Sequence, residues 1–237
     1  MHNLISFLGA DHKVGTTMIT QSIAETIAGS CPDLKILFLA MNGRDSVDYF
    51  REAPIGIDSL KFHIDNRMIN GDEFLKTCAH RGNHYMLAGI TNEREARYFH
   101  PAMAGYILEE VAPEFDLIFA DCGNDLDNGL AIGTLVVSGE SYLISTQQES
   151  SLRRFIKNKA LMRDVRIEIS GYLINKYQEQ DPYGFGYLSG RMEVNKEQLW
   201  KISASGFSRQ AEQEYRTLLE YRNEEYKTDI TALANRI

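Results

Sequence analysis

The feature that most limits what this chain can fold into is a set of short apolar runs that do not alternate with polar residues. Residues 4–8 (LISFL) stop at Gly9-Ala10, residues 35–41 (KILFLAM) stop at Asn42, and residues 115–120 (FDLIFA) stop at Asp121. A strand with one wet face alternates. A strand that is apolar throughout needs cover on both faces, which a parallel sheet gets from its crossover helices. Between the first two runs, Met18, Ile19, Ile23, Ala24 and Ile27 recur at helical spacing, and Cys31-Pro32-Asp33 makes a turn. The first 42 residues therefore read as a βαβ unit, a crossover that is almost always right-handed.

The pattern continues along the chain. Residues 58–64 and 72–78 read as short helices, 84–88 (HYMLA) as a strand, 101–111 as a helix and 130–137 as another. Residues 141–145 read as a strand, 150–162 as a helix and 167–174 (IEISGYLI) as a strand. Residues 178–190, with Asp-Pro, glycines and aromatics, read as an ordered loop. From Ser208 a stripe through Tyr215, Leu218, Leu219, Tyr226, Ile230, Leu233 and Ile237 predicts one long terminal helix. The expected fold class is α/β: a doubly wound, mostly parallel sheet with helices on both faces and a long C-terminal helix. With 237 residues and no linker-like stretch, a single domain over 1–237 is expected, with a core over 1–177 and a loop and C-terminal helices over 178–237.

Composition excludes several classes. An apolar content of 43% with 10% aromatic residues is too high for a disordered chain. The 25 basic and 33 acidic residues give a net charge of −8, which opposes a general field for nucleic acid or anionic membrane. No run approaches the ~18 apolar residues that a membrane span needs, and the N-terminus lacks the basic segment of a signal peptide. Cys31, Cys78 and Cys122 form no CxxC pair, so free thiols and a cytoplasmic location are expected.

The loop after the first run is Gly9-Ala10-Asp11-His12-Lys13-Val14-Gly15-Thr16-Thr17. A strand, a loop with glycine and a helix start together form the geometry of a phosphate cradle, with free amides and the helix dipole facing the anion. The phosphate-loop pattern is GxxxxGK[ST]. Anchored on Gly15, the lysine slot holds Thr16, the magnesium-hydroxyl slot Thr17 and the first glycine slot Ala10. The same residues also fit a plain helix start capped by Thr16 or Thr17.

The order of motifs resembles the ParA/MinD group of P-loop ATPases. DHKVGTTM stands where that group has KGGVGKTT, and ITQSIAETIA resembles its LAxNLAxxLA helix. FDLIFADCGNDLDNGL is similar to its Walker B strand and switch II, SYLISTQQESSLRRF to its next strand and helix, and GYLINKY to its GVVLNRV. The match runs through residues 1–177. A threonine in the lysine slot looks most like the Tad-pilus localisation proteins of TadZ/CpaE type. Those carry an added receiver-like domain, which this chain, starting at its first strand, is expected to lack.

The resemblance implies a degraded nucleotide site. The signature lysine falls on Asp11, the Walker lysine on Thr16 and the switch I aspartate on Ala40. What it retains implies nucleotide binding by Lys13, Val14, Gly15, Thr16, Thr17 and Asn175, with Asn175 at the adenine edge. Mg²⁺ would be held at Thr17 and Asp121. The cofactor implied is ATP or ADP with Mg²⁺, held weakly or not at all, and no residue is assigned a catalytic role. A homodimer with facing phosphate loops and protein partners in a membrane-associated machine are implied, without membrane insertion or DNA binding. Two other readings stay open: a slow Mg-ATPase that uses Lys13 in place of the lost lysines, and a DNA-partition protein.

Three further groups read as structural. Cys78, His80 and His84 are split by the turn at Arg81-Gly82-Asn83, so they do not form a metal set. Asp125 and Asp127 read as a solvated loop, and the basic segment from Arg153 to Arg166 as a solvated helix face.

Overall fold

The computed structural model describes residues 1–51 and 54–237. Its centre is an eight-stranded sheet in the order β3-β4-β2-β5-β1-β6-β7-β8. The strands are β1 (Leu4–Gly9), β2 (Ile36–Ala40), β3 (Ala79–Arg81), β4 (His84–Leu87), β5 (Leu117–Asp121), β6 (Glu140–Ser145), β7 (Gly171–Tyr177) and β8 (Leu199–Ser203). All pairs are parallel except β3, an antiparallel edge on β4. The helices are α1 (Thr16–Ser30), α2 (Lys61–Asp65), α3 (Gly71–Thr77), α4 (Pro101–Val111), α5 (Gly129–Val137), α6 (Glu149–Asp164), α7 (Phe185–Met192), α8 (Ser208–Glu214) and α9 (Glu224–Ala234).

The unbroken apolar runs divide their side chains between two cores. Leu4 and Leu8 of β1, Leu37 and Leu39 of β2 and Ile118 of β5 pack with α3 to α7 on one face. Ile5, Phe7, Ile36, Phe38 and Phe119 pack with α1, α8 and α9 on the other. Each such side chain, fully buried, contributes about 1.5–3 kcal/mol, and the alternation is why no polar residue is tolerated at these positions except where it is paired. Ser6 is such a case: its hydroxyl meets that of Ser141 on β6 at 2.7 Å.

The structure departs from the sequence expectations in five places. β3 and β8 were not anticipated, β3 because three residues carry no period and β8 because its pattern is short and mixed. Residues 185–192 form α7 inside the stretch expected to be a loop. β7 begins at Gly171, four residues after the expected start, because the segment before it runs from the end of α6 up to the sheet. The C-terminal stripe is not one helix. Tyr215 adopts a left-handed φ of 52° after α8, and a 3-10 turn over Leu218–Glu220 separates α8 from α9. Both segments still press their apolar side onto the α1 face, where Tyr226 is buried and its hydroxyl bonds Ser22 at 3.0 Å.

Candidate functional site

β1, β5 and β2 lie side by side at the centre of the sheet, so their C-terminal ends open into one place. This is where open α/β sheets bind ligands. The loop leaving β1 is pinned at its start. Gly9 N–H donates to the Gly123 carbonyl at 2.6 Å and Ala10 N–H to the Ile144 carbonyl at 2.7 Å.

Further along, the loop is held from β7. Asn175 Nδ2 donates to the Val14 carbonyl and Lys176 Nζ to the Lys13 carbonyl, each at 2.7 Å. Two successive side chains thus tie down two successive carbonyls. Lys13 and Gly15 take left-handed φ values of 57° and 94°. Left-handed residues alternating in a loop are the kind of backbone that gathers N–H groups into an anion nest. Gly15 is required here, because a Cβ would collide with the Asn175 carboxamide as well as meet the left-handed strain.

Gly15 is the N-cap of α1, and no side chain caps the helix. Neither Thr16 nor Thr17 therefore fills the capping role that the sequence left open. The first-turn N–H groups of a fifteen-residue helix stay free to face an anion.

The two threonines have separate surroundings. Thr16 is buried, and its hydroxyl lies 2.5 Å from where a Cβ on Gly9 would stand, so it packs against β1. It cannot deliver charge to the loop. Thr17 Oγ1 donates to Asp121 Oδ2 at 2.5 Å. Asp121 is fully buried at the end of β5 and also accepts from Gly123 N at 2.9 Å and Asn42 Nδ2 at 3.1 Å. Burial pushes its carboxyl above the usual range, while the bonds from Thr17, Gly123 and Asn42 pull the other way. A hydroxyl and a carboxylate stand together at the foot of the loop, a donor set suited to Mg²⁺. Ala40 lies buried at the end of β2 and offers no side-chain donor.

A cleft of about 560 Å³ runs from this loop toward α8. Lys13, Arg44, Lys176 and Arg209 line it, against Asp11, Asp45, Asp48, Asp125 and Glu212. Asp48 is raised by burial and by its neighbours Asp45 and Glu212. Asp11 is part of a charge ladder on the rim. Arg154 of α6 lies 3.5 Å from Asp11 and 3.2 Å from Asp125, and Arg44 stands 4.0 Å from the other oxygen of Asp125.

The structure gathers Lys13, Val14, Gly15, Thr16, Thr17, Asn175 and Asp121 at one place. Three participants were missed: Asn42, Lys176 and Arg154. Asn42, a polar residue just past the end of β2, carried a usable signal. Arg154 did not, because on sequence it was one of several cations in a basic segment. Part of that segment is engaged within the fold, Arg153 with Glu149 and Lys159 with Glu193, while Lys157, Arg163 and Arg166 are exposed. Among the described residues, no group of three or more His, Cys, Asp or Glu side chains is placed to hold a metal. Cys78 and His84 are buried while His80 is exposed.

No protein-family model matches the chain, and no curated protein matches it. Solved structures do. A ParA family ATPase from Chlorobium tepidum TLS superposes with a TM-score of 0.87 at 14% identity over 100% of both chains. The chain has the ParA/MinD fold. The septum site-determining protein MinD from Pyrococcus horikoshii OT3, complexed with Mg-ADP, gives 0.77 at 17% identity, covering 100% of this chain and 96% of that one. A putative plasmid partition protein from Borrelia burgdorferi B31, bound to AMPPNP, gives 0.75 at 12% identity over 100% of both chains.

Proposed function

We propose that this chain is a ParA/MinD-like localisation or assembly scaffold that keeps a nucleotide cradle and has lost its catalytic charges. The observation that carries this reading is the contrast within one loop. Its backbone is preset for an anion by Lys13, Gly15, Asn175 and Lys176, while the lysine slots hold a buried Thr16 and an ion-paired Asp11.

Phosphoryl transfer rests on positioning and charge stabilisation. In this reading the loop amides from Val14 to Thr17 hold phosphates, Thr17 and Asp121 hold Mg²⁺, and Asn175 stands at the adenine edge while its Nδ2 holds the Val14 carbonyl. Bound Mg²⁺ would neutralise phosphate charge. Each strong charge-assisted contact contributes about 1.5–3 kcal/mol net. Two absent lysines therefore weaken nucleotide binding on the order of a thousandfold. Ala40 cannot orient an attacking water. The protein acts as a homodimer through protein partners, in the cytoplasm, in a secretion, pilus or partition-type system of the kind served by the TadZ/CpaE group.

Phosphate release by the purified protein tests the loss of catalysis. Wild type is expected to show no turnover above background, with the Thr16→Lys and Asp11→Lys variants assayed alongside. Turnover near one per minute that vanishes in Lys13→Ala would make the chain a slow ATPase and Lys13 its replacement cation.

A further inference from the structure

The cleft presents two carboxylates, Asp11 and Asp125, at its phosphate end. Left alone, they would repel any anion approaching the loop. The two come from different segments: Asp11 from the loop after β1, Asp125 from the loop after β5. One side chain reaches both. Arg154 Nη1 stands 3.5 Å from Asp11 Oδ1 and Nη2 3.2 Å from Asp125 Oδ1. Arg154 rises from the first turns of α6 and is not itself part of the cleft wall. It faces both carboxylates.

We propose that Arg154 is a positioning residue for the phosphate site, cancelling Asp11 and Asp125 so that an anionic ligand can enter the loop. It does this without touching the ligand. Arginine suits the task because its planar fork holds two carboxylates at once and stays charged at any working pH. Arg44, at 4.0 Å and more exposed, supplements the cancellation at Asp125 only. Asp11 has no second cation paired with it among the described residues; its other bond is from the His12 backbone N–H at 2.8 Å. Removing Arg154 therefore leaves Asp11 uncompensated at the loop itself.

This inference rests on the nucleotide cradle proposed above, and calorimetric titration with Mg-ADP separates the two. Arg154→Ala is expected to bind about tenfold more weakly than wild type at low salt, the size of one or two partly exposed charge interactions. The deficit should shrink as ionic strength rises, because these charges are screenable. Arg154→Lys should recover part of the binding. The double variant Asp11→Asn/Arg154→Ala should recover most of it, and Asp11→Asn alone should bind more tightly than wild type. A merely structural role for Arg154 would move neither the salt dependence nor the rescue.

The same series is run in a Thr16→Lys background, which returns a lysine to the loop. Wild-type binding that is absent while the Thr16→Lys series follows this pattern would refute the cradle reading and uphold the role of Arg154. Arg154→Ala equal to its parent at low salt in both backgrounds, or a deficit that Asp11→Asn does not rescue, would overturn the inference.

Discussion

At the scale of single residues, the loop shows how backbone conformation and side-chain charge can diverge. Gly15 is fixed by geometry: its φ of 94° lies in the left-handed region, and a Cβ there would strike Asn175. Gly15→Ala should cost about 1–2 kcal/mol for the backbone alone, and more for the collision. A urea unfolding curve should show the lowered midpoint, with part of the loss returned by Gly15→Ala/Asn175→Ala. Thr16 and Asp11 carry the opposite message. The sequence placed both in lysine slots, and the structure turns one into β1 and pairs the other with Arg154. Gly15, Thr17 and Asp121 could be placed together from sequence because each stands at a strand end or helix start. Lys176 and Arg154 were not, because the contacts that define them join the loop to β7 and α6, far along the sequence.

At the scale of elements, the central strands were readable because burial on both faces leaves an unbroken apolar run, and β1, β2 and β5 all fell where expected. The edges were not. β3 and β8 are short outer strands whose stability comes from neighbours, so their own residues carry little period. The C-terminal stripe had helical spacing, but a left-handed Tyr215 breaks it. Besides its apolar face, a titratable contact joins this broken segment to α1. Thr217 Oγ1 donates to Glu25 Oε2 at 2.5 Å, and Glu220 stands nearby. Burial raises the Glu25 carboxyl from 4.5 to about 7. The folded state therefore holds a proton that the unfolded chain releases, and stability falls as pH rises from about 4.5 through about 7. His84, buried and lowered to about 4, acts in the reverse sense, losing stability as pH falls. The comparison of wild type with Glu25→Gln isolates the carboxylate. The variant should gain stability relative to wild type as pH goes from 5 to 8, on the order of 1–2 kcal/mol. Thermal melts across that range should show the gap opening toward high pH; a constant gap would mean Glu25 titrates normally.

At the scale of the whole molecule, the proposed scaffold role means that one fold serves both active nucleotide machinery and a reduced form of it. Fold similarity at 14% identity does not transmit chemistry, since the sheet is specified by apolar runs and the chemistry by a few charges at strand ends. Without a lysine at position 11 to reach a partner's phosphates, the proposed dimer should depend less on ATP. Light scattering should give a dimer with and without nucleotide; a dimer seen only with ATP would oppose this. The most direct test of the central claim, a retained cradle with lost charge, is titration of the intact protein with Mg-ATP. Weak, saturable binding is expected, roughly 0.1 mM or weaker, tightening at least about tenfold in Thr16→Lys. Binding near ~1 μM that Thr16→Lys leaves unchanged would contradict it.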